Sequence, residues 1–256
     1  LNPACVNRGG AESLILLESP AILEKEVSFS PQSLEKLTLW QVRAGEIVTV
    51  CDPQGTFYRC RITVLEKSSG KAVIFQRLAR PPEAPIRIDV YQALPEKERF
   101  ELILQKLTEI GVYRIIPYLS ERSTTLELRD AGQKKSHRWP DVLLRAAKQC
   151  RRGIIPELSP VLPWKEALLT AGQAPTALVL SEKEESGCLA GFLKTPSRYE
   201  QIALFVGPEG GFSAVELAEM AAAGFVSLSL GPRILRTETA AIVGAALIQA
   251  FCGDFG

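Results

Sequence analysis

The apolar positions of this chain change period part-way along it. Up to about Leu78 they fall in short β-prone runs: Leu14 to Leu17, Glu46 to Cys51, Phe57 to Val64 and Ala72 to Arg77. Turn-forming segments separate them, namely Arg43-Ala44-Gly45, Asp52-Pro53-Gln54-Gly55 and Ser68-Ser69-Gly70-Lys71. Such spacing predicts a small β-barrel, with Leu34 to Val42 as a short helix between strands. The stiff segment Arg80-Pro81-Pro82-Glu83-Ala84-Pro85 predicts a domain boundary, with domains over 1–78 and 79–256.

From Ile86 onward, short apolar runs alternate with helical periodicity. Strands are expected at Ile86 to Leu94, Tyr113 to Leu119, Ile154 to Leu158, Thr176 to Ser181, Ile202 to Val206 and Val226 to Leu230. Between them, Lys97 to Ile110 places Phe100, Ile103, Leu104, Leu107 and Ile110 on one helical face and ends at Gly111. Further helices are expected from about Pro140 to Arg151 and over Trp164 to Ala171. The alternation predicts an α/β fold built on a parallel sheet covered on both faces.

Composition removes several classes of function. The chain has 256 residues, 46% of them hydrophobic, and a formal net charge of +1. That is ample for a core, and nucleic-acid contacts must come from local patches rather than a global field. The longest apolar stretch, Ala240 to Ala250, is too short to span a membrane, so neither a span nor a signal peptide is expected. The 6 cysteines show no CxxC spacing, and the single histidine, His137, sits in the hydrophilic stretch Lys134 to Arg138. No metal site and no histidine-dependent nucleophile is expected. Cys51 and Cys60 flank a turn and can face each other across a hairpin; reduced thiols of a cytoplasmic protein are the reading adopted.

The candidate chemistry lies in two Gly-Pro turns. Phe205-Val206-Gly207-Pro208-Glu209-Gly210-Gly211-Phe212-Ser213 and Leu230-Gly231-Pro232-Arg233-Ile234-Leu235-Arg236-Thr237-Glu238-Thr239-Ala240 each follow a strand and lead into a helix. Neither matches a phosphate loop, their prolines remove backbone donors, and Glu209 would repel an anion. As plain strand-to-helix turns, the first would be closed by a Ser213–Glu216 capping box. The second carries Arg233 and Arg236 at a helix start, where the macrodipole disfavours cations, and rule-breaking residues point to function.

These two turns closely resemble the paired C-terminal motifs of the RsmE family. Upstream, Gln105-Lys106-Leu107-Thr108-Glu109-Ile110-Gly111-Val112 is similar to its QKxxELGV helix end, and Glu121-Arg122-Ser123 to its ERS. Ala146-Ala147-Lys148-Gln149-Cys150 with Ile155-Pro156-Glu157 is similar to its AAEQ…VPE segment, so the resemblance covers most of residues 90 to 256. It implies an S-adenosylmethionine-dependent methyltransferase of the SPOUT superfamily, acting on N3 of a uridine in 16S ribosomal RNA. It further implies a SPOUT-type sheet with a deep C-terminal trefoil knot, a PUA-like N-terminal barrel that presents RNA, and a homodimer. Ala240 to Ala250, with small Gly244, Ala245 and Ala246, suits a close helix contact, and equally a core helix.

By that resemblance, Leu180, Ser181, Gly207, Pro208, Gly210, Gly211, Leu230, Gly231, Pro232, Ile234, Leu235, Thr237 and Thr239 are cofactor-binding candidates, with helix capping the alternative for the two threonines. Removing the N3 proton as the methyl is transferred needs an acceptor and stabilisation of a uracil anion. Arg233 and Arg236 are candidates for the second task, and Glu209 or Glu238 for the first or as partners of those arginines. Lys97, Arg99, Arg122, Arg145, Lys148, Arg151 and Arg152 are candidates for contacts to the RNA backbone, on free RNA or an assembled subunit. Two departures bear on the target: Leu39-Trp40-Gln41-Val42-Arg43-Ala44-Gly45-Glu46 lacks the histidine usual before the family's VLR, and AAEQSGR reads Ala146-Ala147-Lys148-Gln149-Cys150-Arg151-Arg152. Another RNA or base as target, or an inactive RNA-binding module of the same fold, remain the alternatives.

Overall fold

The structure, a computed structural model, describes residues 7, 9–95, 97–123, 138–182, 187–194 and 199–255, with residue 97 described by its backbone alone. His137 and Cys5 fall outside the described residues. Two compact units emerge from the contacts. One holds residues 8–83 and 144–155, the other residues 84–143 and 156–256 together with the extreme N-terminus.

The first unit is an antiparallel sheet in the order β1-β4-β3-β2, formed by β1 (Glu26–Ser28), β2 (Ile47–Cys51), β3 (Phe57–Leu65) and β4 (Gly70–Arg77). The turn at 52–55 closes the β2–β3 hairpin through the Asp52 carboxylate, which accepts from the backbone N–H groups of Gln54 and Thr56 at 3.0 Å each. Register separates the two hairpin cysteines: Cys51 lies opposite Phe57, and Cys60 opposite Val48. Both are free thiols. Helix α1 (Pro31–Leu39) starts with Ser30 as N-cap and Pro31 in its first turn, a sequence-readable start. It begins three residues before the expected Leu34. Leu14 to Leu17, expected as a strand, makes only an isolated bridge from Leu16 to Cys51. Strand β1 escapes the apolar pattern because its residues are mostly exposed.

The second unit is a seven-stranded sheet paired in parallel throughout, ordered β11-β9-β10-β5-β6-β7, with β8 also on β6. Its strands are β5 (Arg87–Ala93), β6 (Arg114–Leu119), β7 (Glu157–Leu158), β8 (Leu162–Pro163), β9 (Ala177–Leu180), β10 (Gln201–Val206) and β11 (Val226–Leu228). Helices α2 (Lys97–Ile110), α4 (Trp164–Ala171), α5 (Leu189–Leu193), α6 (Ala214–Ala222) and α7 (Thr237–Cys252) alternate with them, and α3 (Trp139–Cys150) starts in this unit and continues, from residue 144, in the first. The parallel α/β reading therefore stands.

An aromatic cluster fills the core of this unit. Tyr91 stacks on Phe205 with ring centroids 4.7 Å apart, and Phe205 meets Phe225 edge-on at 5.3 Å. Tyr118 packs on the same ring, and its buried hydroxyl donates to the Val206 carbonyl at 3.0 Å. Helix α7 lies on the sheet because Gly244 is small. A Cβ there would sit 2.9 Å from Leu180 Cδ1 and 3.1 Å from Leu204 Cδ2. Gly244 and Ala245 thus face the chain's own core. The core-helix alternative accounts for them, and the close-contact reading for these two residues does not.

Candidate active site

Three strand ends finish level with one another. Register pairs Val206 of β10 with Leu180 of β9, and Leu228 of β11 with the same Leu180. In a parallel sheet this sends three loops out side by side at the carboxyl edge, where open α/β sheets bind ligands. Ser181, Gly207 to Phe212, Leu230, Gly231 and Arg233 to Thr237 meet there and line a cavity of about 420 Å³. That volume is in the range of small-molecule sites.

The first Gly-Pro turn is held at several points. Gly211 N–H donates to the Pro208 carbonyl at 2.9 Å, and Gly211 has φ +65°, the left-handed region that favours glycine. A Cβ on Gly211 would lie 2.8 Å from Glu182 Oε1, and one on Gly207 would lie 3.0 Å from the Phe212 ring. Beyond the turn, Ser213 and Glu216 form the expected capping box at the start of α6. Glu216 Oε1 accepts in addition from the Glu121 backbone N–H at 2.9 Å, fastening the chain after β6 to this loop.

The second turn is fixed from beneath. Gln92, fully buried on β5, donates from Nε2 to Thr237 Oγ1 at 2.9 Å, which directs the Thr237 hydroxyl to the Gly207 carbonyl at 2.5 Å. The N-cap of α7 is Arg236, whose side chain makes no capping bond. Thr237 is thus a clamp between the loops rather than a cap. With the hydroxyl spent, the helix start leaves backbone donors for a ligand.

Of the cofactor-binding candidates, Leu180, Ser181, Gly207, Pro208, Gly210, Gly211, Leu230, Gly231, Ile234, Leu235 and Thr237 line the cavity. Pro232 and Thr239 are not among its lining residues. Arg233, Arg236 and Glu209 line it, and Glu238 does not. The two arginines are exposed, and their side chains make no hydrogen bond or ion pair with a described residue. Glu209 Oε1 is 2.9 Å from Arg99 Nη1. One oxygen of Glu238, Oε2, is buried and has no hydrogen-bond partner. The lining combines glycine backbone, Leu180, Val206, Phe212 and Ala240 with five charged residues, Arg99, Glu182, Glu209, Arg233 and Arg236.

A family profile, RNA methyltransferase domain, matches residues 82–249. A curated relative, ribosomal RNA small subunit methyltransferase E of Mesomycoplasma hyopneumoniae, is 32% identical over 82% of this chain and 89% of its own length. The chain belongs to the ribosomal RNA small subunit methyltransferase E family. A crystal structure of that enzyme from Neisseria gonorrhoeae, bound to S-adenosyl methionine, is 31% identical with a TM-score of 0.67, covering 94% of this chain and 98% of the other. A putative methyltransferase from Legionella pneumophila, in complex with the same cofactor, is 30% identical at the same TM-score and the same coverages.

The basic residues singled out in this methyltransferase E family member fall into different environments. Arg99 and Arg122 attend the glycine-rich loop: Arg99 pairs with Glu209, and Arg122 Nη1 donates to the Gly210 carbonyl at 2.7 Å. The Lys97 side chain lies outside the described residues. Arg145 and Arg151 are exposed on and just after α3. Lys148 pairs with Glu46 at 2.7 Å. Arg152 differs most from the solvated charge its surroundings in the sequence suggest: its side chain is 4% exposed and meets Glu83 at 2.5 Å, an internal partner.

Several lining or supporting residues gave no sequence signal. Glu182 lines the cavity from outside both turn motifs, and Val206, Phe212 and Ala240 line it from within the motifs without belonging to the candidate set. Gln92 supports it from a strand interior, where a fully buried amide between Tyr91 and Ala93 is the one oddity the sequence shows. Among the described residues no group of histidine, cysteine, aspartate or glutamate is placed to hold a metal ion, and no helix is long and apolar enough to cross a membrane.

Proposed function

We propose that this protein binds S-adenosylmethionine in the cavity between the three loops and methylates N3 of a uridine in small-subunit (16S) ribosomal RNA in the cytoplasm. The observation that carries the reading is the glycine-built cradle at the level ends of β9, β10 and β11, in a member of this family. The cavity suits the donor. It is of ligand size and made in large part of backbone that glycines keep open, and Arg99, Arg233 and Arg236 along its lining are accompanied by Glu182 and Glu209. Gly207, Gly210, Gly211, Leu230 and Leu235 would hold the donor, with Leu180 and Phe212 against its apolar parts.

When bound, S-adenosylmethionine supplies an electrophilic methyl group on a sulfonium. The residues of the chain then have three tasks: to orient uracil N3 toward that methyl, to accept its proton, and to stabilise the negative charge that develops on the base. Arg233 and Arg236, unpaired and at the cavity, suit the last, because a guanidinium stays charged and donates in a fork. Glu209 suits the second better than Glu238, because Glu209 lines the cavity. Its present partner Arg99 would have to yield for it to take up the proton.

The same reading includes a trefoil knot formed by the C-terminal loops, a PUA-like role for the N-terminal sheet, and a homodimer. Ile234 supports the dimer: it is 87% exposed at the cavity, an apolar side chain that a second copy would cover. The test is nucleoside mass spectrometry of ribosomal RNA from a strain lacking this protein. Loss of one 3-methyluridine from the 16S rRNA, restored by the purified protein with S-adenosylmethionine on free rRNA or on small subunits, is the expected result. Persistence of every 3-methyluridine would overturn it.

A further inference from the structure

The end of α3 holds an arginine where the backbone calls for glycine. The helix closes with the Arg152 N–H donating to the Ala147 carbonyl at 3.0 Å and the Arg151 N–H to the Lys148 carbonyl at 3.3 Å. This closure puts Arg151 in the left-handed region, at φ +59°. A side chain other than glycine costs free energy there, of order 1 kcal/mol. The conformation is also pinned. The Arg151 carbonyl accepts from Thr49 Oγ1 at 3.3 Å and from Arg59 Nη1 at 2.7 Å.

Arg59 reaches that carbonyl because Thr49 and Arg59 are directly opposed across the β2–β3 pair. Its Nη1 also bonds Thr49 Oγ1, so one end of the guanidinium is anchored inward. The other end forms no hydrogen bond to a described residue. Arg59, Lys148, Arg151 and Arg152 line one small crevice of the unit formed by residues 8–83 and 144–155. Two of these four cations are neutralised, Lys148 by Glu46 and Arg152 by Glu83. Arg59 and Arg151 are not: among the described residues no carboxylate is in ion-pair contact with either. Partial burial and the neighbouring Arg151 charge lower the pKa of Arg59, the sign of a cation without a counter-ion.

We infer that Arg59 and Arg151 form a two-guanidinium seat for a backbone phosphate of the RNA substrate. Two like charges that line one crevice are both compensated by one anion held between them. An RNA phosphate is the occupant that fits, since Arg151 is exposed beside a crevice of only about 20 Å³, where a free anion would bind with few contacts. The inference rests on the reading of the protein as an RNA methyltransferase and adds a grip built from residues that do not line the donor cavity.

The variants are Arg151→Gly, which removes the charge and the unfavourable φ together, and Arg59→Gln, which keeps a donor for Thr49 and the Arg151 carbonyl. Binding of 16S rRNA is measured across a salt series, with S-adenosylmethionine affinity by calorimetry and thermal unfolding alongside. Expected for Arg151→Gly is a melting temperature equal to or above that of the parent, with rRNA affinity lower by about tenfold. The slope of log affinity against log salt should flatten by roughly one phosphate contact, about 0.7 to 0.9. Arg59→Gln should lose rRNA affinity in the same way. If the parent binds rRNA and both variants match it in affinity and slope, this inference alone is overturned. If the parent binds S-adenosylmethionine and no rRNA at any salt, the RNA reading falls and this inference with it. If inorganic phosphate raises the melting temperature of the parent and not of Arg151→Gly, while rRNA affinity is the same for both, the seat takes a small anion and the assignment to RNA is wrong.

Discussion

The Thr237 hydroxyl donates to the Gly207 carbonyl across 2.5 Å, joining the first residue of the C-terminal helix to the loop that leaves β10. The same oxygen accepts from Gln92 Nε2 at 2.9 Å. One small side chain thereby sets the relative height of both Gly-Pro turns.

Thr237→Val keeps the shape and removes the hydroxyl, leaving the Gly207 carbonyl and one N–H of the Gln92 amide, whose Nε2 still donates to the Ala93 carbonyl, without this partner. Each buried unsatisfied group costs about 1–3 kcal/mol. Urea unfolding should show a loss of that order, and calorimetry a weaker affinity for S-adenosylmethionine. Thr237→Ser should restore both. A Val variant with parental affinity would show that the clamp does not shape the cavity.

Gly211 and Gly224 give a matched pair. Both have positive φ, +65° and +82°, but only Gly211 would bring a Cβ against another group, at 2.8 Å from Glu182 Oε1. Alanine at either site costs about 1–2 kcal/mol of backbone free energy. Only Gly211→Ala should also lower donor affinity, because Gly211 lines the cavity. Equal donor affinities in the two variants would argue against the glycine cradle.

Arg236 lines the cavity without a described partner. If it stabilises developing charge, Arg236→Ala should keep donor affinity within about tenfold while kcat falls on the order of a hundredfold or more. Single-turnover kinetics separates the two effects. An equal loss in donor binding and turnover would put Arg236 in the donor site instead.

Glu83 accepts from Arg152 and from the backbone N–H groups of Gly153 and Ile154 at 2.8 and 3.1 Å. Glu83→Ala strands a buried guanidinium, and breaking such a pair costs about 3–5 kcal/mol. Adding Arg152→Met to Glu83→Ala should recover part of that loss in urea unfolding, since the uncompensated charge is then gone. No recovery would mean that the two backbone bonds carry the effect.

Features whose cause is local could be read before the fold was known. Helix α2 over Lys97–Ile110 and helix α4 over Trp164–Ala171 begin and end where their periodicity predicts. The Ser213–Glu216 capping box is likewise decided within four residues. Strands are less self-contained. Ile154 to Leu158 reads as a strand, but the N–H groups of Gly153, Ile154 and Ile155 go to Glu83 and to Ser13 Oγ, and pairing is left to Glu157 and Leu158. Arg152 looks like a solvated charge beside Arg151, and only its distant partner Glu83 decides otherwise.

The sequence by itself determined the parallel α/β class, the two glycine-rich turns and most of the residues around them, because apolar period, caps and turn residues act over a few positions. The tertiary structure decided that β9, β10 and β11 end level, that Gln92 supports Thr237, that Gly244 faces the chain's own core, and that Arg59 meets Arg151. Each of these joins residues far apart in the chain. Register and packing set them, and no local pattern of side chains encodes either one.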